Sequence, residues 1–247
     1  MLLASKCRYD KKVVRDLIYD VGLFNGDDTA YYLWRGFRVV AIEANPYYVA
    51  QAQQRFATEI KQGRLIIEPV GIGEKEGEDT FWLNDIHDDW NSFNNHVTSN
   101  GNNPIYEPHC HSLLVPVVPL SKIMERHGVP YYLKSDIEGH DRFCLASLTA
   151  TDLPVYLSVE AHGTEYLTRM YELGYRYFKL INQARGHAAS NYWYFRPATS
   201  GPFGEETSGE WHDYDYVVQE WDKIKRGELL SDIPQEALTW ADWHAKK

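Results

Sequence analysis

The chain has 247 residues, of which 44% are apolar, so it can bury a sizeable core and is not globally disordered. At roughly 150 residues per domain this is one domain with appendages. Its 25 basic and 35 acidic residues give a net charge of −10, which argues against a nucleic-acid grip built on Lys and Arg.

Three cysteines, Cys7, Cys110 and Cys144, form no CxxC pair, so a disulfide scaffold is not expected. The start, Met1 to Lys6, shows no apolar run with a small-residue cleavage site, and no stretch of about 20 apolar residues follows anywhere. The reading is of a cytoplasmic protein with no membrane partner.

The first strong element is the strand Asp16 to Val21, which runs into Gly22. A turn through Gly26 leads to a helix from Ala30 to Arg35. A second strand, Phe37 to Ile42, closes on Glu43, and Pro46 opens a helix reaching about Ile60. The third strand is Leu65 to Val70. Strands alternating with helices at this spacing predict a parallel sheet with helices on both faces.

Thr80 to Leu83 is a short strand. Residues 84–112 then form a polar stretch with seven Asn and four His, read as a loop or lid over a pocket. Within it, His109-Cys110-His111 lacks a second Cys/His pair at finger spacing, so zinc is not expected. A strand from Leu114 to Leu120 and a helix from Ser121 to His127 follow. Tyr131 to Asp136 is the next strand, with a turn over Ile137 to Asp141 and a helix to Leu148. Pro154 to Val159 ends at Glu160-Ala161-His162, and a helix from Glu165 stops at Gly174. Tyr175 to Ile181 and Tyr192 to Phe195 are the last β-rich runs, before a helix around Tyr216 to Arg226.

Ligands of open α/β sheets bind beyond the carboxyl ends of the strands, and three such ends carry chemistry here. Gly22 and Gly26, with Asp20 ahead, let the backbone approach a ligand closely. Their spacing is not GxGxxG, which disfavours a dinucleotide clamp. Glu43 ends the second strand, where a carboxylate can take both hydroxyls of a ribose. Asp136 and Glu138 leave a central strand as an acidic pair that faces a cation, positions a substrate, or simply starts a helix.

Asp20-Val21-Gly22 with Gly26 and Thr29, Ile42-Glu43-Ala44-Asn45-Pro46, Val70-Gly71-Ile72-Gly73 and above all Leu133-Lys134-Ser135-Asp136-Ile137-Glu138-Gly139-His140 resemble the FkbM family of S-adenosylmethionine-dependent methyltransferases. Val159-Glu160-Ala161-His162 resembles the family's next strand end, and the likeness covers about residues 15 to 182. It implies a class I methyltransferase fold, Rossmann-like, with seven strands, mostly parallel and the last antiparallel. It implies O-methylation of a small hydroxylated acceptor such as a sugar or natural product.

Carried onto this chain, Asp20, Gly22 and Gly26 would hold the methionine part of the cofactor and Glu43 the ribose. Val70 and Gly71 would lie near the adenine. The family has Ala-Asn after the first glycine. This chain has Leu23-Phe24 and its asparagine at 25, so Asn25 joins Thr29 and Asp136 in the expected cofactor-binding set.

Methyl transfer to an alcohol benefits from a general base, and His140, His162 and Asp136 are the candidates. Asp136 with Glu160 is a candidate pair for a divalent cation such as Mg²⁺, which prefers oxygen donors. The alternatives are an NAD-linked oxidoreductase on a similar sheet and a catalytically inactive cofactor-binding module.

The domain division expected is 1–200 for the methyltransferase domain and 201–247 for a C-terminal extension. Between residues 204 and 247 there are 11 acidic and five basic residues and four of the eight Trp. Such a tail should pack on the core or on a second copy, which makes a homo-oligomer one of two expected arrangements.

Overall fold

Leu17-Ile18-Tyr19-Asp20-Val21 carries apolar side chains on both sides of the pleat, and all five residues are buried, Asp20 included. Successive side chains of a strand point to opposite faces. Leu17, Tyr19 and Val21 accordingly enter one core, and Ile18 enters the other. This strand can only sit in the middle of a sheet covered on both faces, and the rest of the molecule is arranged around it.

The computed structural model describes residues 13–183, 200–226 and 240–247. The elements are β1 (Val13–Val21), α1 (Asp27–Trp34), β2 (Arg38–Ile42), α2 (Pro46–Arg55), α3 (Ala57–Lys61), β3 (Leu65–Glu68), β4 (Gly71–Ile72) and β5 (Gly77–Asn84). They continue as α4 (Asn95–Thr98), β6 (Cys110–Val118), α5 (Leu120–His127), β7 (Val129–Ser135), α6 (Asp141–Ser147), β8 (Tyr156–Glu160), α7 (Glu165–Leu173), β9 (Tyr177–Asn182), α8 (Tyr214–Lys225) and β10 (Ala241–Lys246).

Seven strands form the main sheet in the order β3-β2-β1-β7-β8-β10-β9. β10 runs antiparallel to both of its neighbours, and the other pairings are parallel. The chain reverses its direction of winding between β1 and β7, and the carboxyl ends there form the crevice in which such sheets hold ligands. Local chemistry sets the helix starts near it. Pro46 occupies the first turn of α2, and the Asn45 side chain accepts from the Tyr47 amide at 2.9 Å. Among the described residues no helix is long and apolar enough to cross a membrane.

Two expectations change. The segment expected as a C-terminal extension contributes Ala241–Lys246 to the main sheet as β10, lodged between β8 and β9. Its polar residues Asp242 and His244 are as buried as Trp243, which hid the strand from an apolar-pattern reading. Trp243 is fully buried, and its indole N–H donates to the Gly163 carbonyl at 2.8 Å. Trp243→Ala should cost about 3–5 kcal/mol, read as a lowered urea midpoint.

The polar stretch 84–112 is also more ordered than a loop. Asn84 ends β5 and Cys110 to Ser112 begin β6, which with β4 make a second, three-stranded sheet. The segment between β5 and β6 carries α4. It is tied down by Ser92, whose hydroxyl donates to the Glu138 carbonyl at 2.9 Å, and by the Tyr48 hydroxyl, which donates to Asp88. The β-rich run Tyr192 to Phe195 lies outside the described residues.

Candidate active site at the carboxyl end of the sheet

The turn after β1 is welded to the end of β2. The amides of Gly22 and Leu23 both donate to the Ile42 carbonyl, at 3.0 and 3.2 Å. Gly22 has φ of +89°, and a Cβ there would stand 2.0 Å from the Asp136 carbonyl oxygen. Only glycine lets β1 and β7 come this close. The turn also brings the Phe24 amide to Glu43. One carboxylate oxygen of Glu43 accepts from Phe24 N at 2.8 Å, and the other from Asn45 N at 2.7 Å. Glu43 is buried, and burial raises its pKa while the backbone amides oppose the rise. Each of its oxygens still has accepting capacity for a further donor.

Glu43 opens onto a cavity of about 470 Å³. Volumes of this order hold small molecules and cofactors. Val70, Gly71, Ile72 and Phe81 form one wall, and Asp88, Asp89, Trp90, Asn91 and Phe93 of the segment after β5 form the roof. At Gly71 a Cβ would collide with the Phe93 ring at 2.2 Å, so this glycine sets how far the roof descends. Asp136, Glu138 and Glu160 also line the cavity. Carboxylate oxygens of these three come within 4.8 Å of one another. Burial, and then the neighbouring Glu160 and Asp136, push the Glu138 carboxyl up to about 10. Glu160 is raised too, chiefly by burial, while its partner His162 pulls the other way.

Lys134 is among the cavity residues not expected from the sequence. Lys134, one residue before the carboxyl end of β7, is 3% exposed. Its ammonium lies 3.0 Å from Asp28, 3.2 Å from Asp136 and 4.0 Å from Asp20. The signal was present in Tyr131-Tyr132-Leu133-Lys134-Ser135. A lysine inside an otherwise buried strand requires carboxylates around it.

Of the expected site residues, Gly22, Asn25, Glu43, Val70, Gly71, Asp136 and Glu160 line the cavity. Asp20, Gly26, Thr29, His140 and His162 are not among the described lining residues. Asp20 points behind the turn, accepts from the Thr29 hydroxyl at 2.6 Å and is pushed up to about 7 by burial. Asp20 and Thr29 therefore brace the glycine turn instead of facing a ligand. Gly26, at φ +82°, lets α1 begin against the Phe56 ring.

His140 is shut out by Phe93, whose ring stacks on its imidazole at 4.7 Å, and its Nδ1 lies 3.4 Å from the Ile72 carbonyl oxygen. Burial lowers its pKa. His162 meets the cavity only through Glu160, its Nε2 standing 2.8 Å from a Glu160 oxygen. The hydrogen bond to Glu160 raises the pKa of His162. Asp136 and Glu160 do come together as expected of an oxygen site, and Glu138 joins them. One Asp136 oxygen is already engaged by the Lys134 ammonium.

A sheet of this strand order with one antiparallel strand, a glycine turn after β1 and a buried carboxylate after β2 defines a class I methyltransferase domain. The family model described as methyltransferase FkbM domain matches residues 20–179, and the chain belongs to that family of S-adenosylmethionine-dependent methyltransferases. The family sets aside the NAD-linked alternative.

Among solved structures, the chain is similar to methyltransferase FkbM from Methylobacillus flagellatus KT. The identity is 18%, with 67% of this chain and 40% of that one covered and a TM-score of 0.45. The match therefore spans less than half the length of that relative. It is also similar to precorrin-6y C5,15-methyltransferase from Geobacter metallireducens GS-15, at 9% identity over 96% and 82% of the two chains with a TM-score of 0.40. An N-methyltransferase 2 from Haemonchus contortus, solved with phosphomonomethylethanolamine and S-adenosylhomocysteine, is 11% identical over 96% and 50% of the chains with a TM-score of 0.35. No curated protein matches the sequence.

Proposed function

We propose that this chain transfers a methyl group from S-adenosylmethionine to a hydroxyl oxygen of a small acceptor such as a sugar or natural product. The observation that carries this reading is that Glu43, held by the amides of Phe24 and Asn45, and Glu160, paired with His162, line one cavity. When bound, the cofactor supplies a methyl carbon made electrophilic by its sulfonium. The residues then have separable tasks.

Glu43 accepts hydrogen bonds from the ribose hydroxyls. Val70 and Gly71 flank the adenine. The acceptor sits under Trp90 and Asn91, where an aromatic face and an amide suit a hydroxylated molecule. Glu160 takes the proton of the acceptor hydroxyl, and His162 behind it holds the carboxylate in place. Alignment of acceptor and donor lowers the barrier by up to roughly 7–11 kcal/mol, and a general base adds about 10²–10⁴-fold.

The test is a panel of hydroxylated, amine and thiol acceptors with S-adenosylmethionine, with S-adenosylhomocysteine measured by mass spectrometry. Acceptor-dependent release is expected with hydroxyl compounds, and methylation confined to amines or thiols would contradict the reading. The pH profile of turnover adds a second check. Because the Glu160 carboxyl is raised by burial, the base is fully available only above an elevated pKa. The acid limb of kcat should therefore stand above the ordinary glutamate range, and a limb within that range would remove Glu160 as the base.

A further inference from the structure

With ribose at the end of β2 and adenine beside β4, the amino-acid end of the cofactor is directed the other way along the sheet, toward β1 and β7. This step rests on the cofactor reading above. At that place stands Lys134, its side chain 4% exposed, with Asp28 and Asp136 beside it on the cavity wall. The two carboxylates come from separate elements: Asp28 from the first turn of α1, and Asp136 from the turn after β7. Asp28 is further held by the Ser200 hydroxyl, which donates to it at 2.6 Å. Without a cation between them, two carboxylates at this spacing repel and turn apart.

We propose that Lys134 is a positioning residue for the cofactor: its ammonium draws Asp28 and Asp136 together and so aims two carboxylates at the α-ammonium of the donor's methionine end. Lys134 itself need not touch the ligand. Its ammonium bonds Asp28 and Asp136 and reaches Glu43 only as a more distant charge, behind the Asn45 and Phe24 amides, so its contribution falls chiefly on the amino-acid end.

Two probes separate the ends of the ligand. S-adenosylhomocysteine carries the amino-acid end, and 5′-methylthioadenosine carries the same adenosine without it. Calorimetric titration of the wild-type chain with both should show the amino-acid end adding affinity. Lys134→Met should weaken S-adenosylhomocysteine by about 10- to 100-fold, the scale of one charged hydrogen bond, and leave methylthioadenosine within about twofold. Equal loss of both ligands, or unchanged binding of both, would overturn the proposal, because a merely structural lysine cannot distinguish them. If Lys134→Met does not fold, Asp136→Asn gives the same test at a less buried position. The same split between ligands is expected, and wild-type affinity for S-adenosylhomocysteine would overturn the proposal. A wild-type chain that binds neither ligand would instead overturn the cofactor reading and this proposal with it.

Discussion

Glu43→Ala should abolish useful affinity for S-adenosylhomocysteine. The carboxylate is offered to two ribose hydroxyls, and each charged hydrogen bond is worth about 1.5–3 kcal/mol. Losing both amounts to about 3–6 kcal/mol, or roughly 10²–10⁴-fold in Kd. The side chain also satisfies the Phe24 and Asn45 amides, so its removal loosens the turn it faces. Glu43→Gln separates the two effects, since a glutamine carbonyl still accepts from one amide while the charge is gone. Calorimetry with S-adenosylhomocysteine and with 5′-methylthioadenosine should show equal losses, because both ligands carry the ribose. This is the opposite signature to that expected of Lys134. Unchanged binding in Glu43→Ala would dismiss the ribose assignment.

Glu160→Gln should lower turnover by about 10²–10⁴-fold while leaving S-adenosylhomocysteine affinity within about twofold. Gln keeps the shape but cannot take a proton. Because Glu160 is buried beside Glu138 and Asp136, its carboxyl gains a proton more readily than an exposed glutamate, which suits a group that must accept one from an alcohol. His162→Ala should act in the same direction and more weakly, as it removes only the partner that orients the base. Steady-state kcat with a saturating acceptor is the measurement. A variant with wild-type kcat would move the proton to another group, Asp136 first.

What could be read from the sequence follows from burial. β1, β2, β7 and β8 are buried on both faces, so their residues form near-continuous apolar runs that stand out against the helices. The groups at their carboxyl ends could be placed for the same reason, and Gly22, Glu43, Val70, Gly71, Asp136 and Glu160 do line one cavity.

Other features depend on contacts far apart in the chain. Phe93 lies 47 residues before His140 yet stacks on it, and nothing local to either position announces that contact. Its position past a strand end puts His162 on the cofactor side, but whether its ring or the Glu160 carboxylate faces inward is decided by the turn. Asp20 lies one residue before the strand end, on the face shared with Ile18, and so turns toward Thr29 and not toward the ligand. β10 was obscured because buried polar residues occupy a central strand, where the alternation rule expects apolar ones. Lys134 is hard to read for a related reason, as the carboxylates that make its burial tolerable come from three separate elements.

The most direct test of the central claim is a crystal structure of the chain with S-adenosylhomocysteine bound. Both ribose hydroxyls should lie within hydrogen-bond distance of Glu43, with the adenine against Val70 and Gly71 and the sulfur turned toward Glu160. A ligand bound away from the ends of β1 and β2, or one whose ribose does not meet Glu43, would contradict the account.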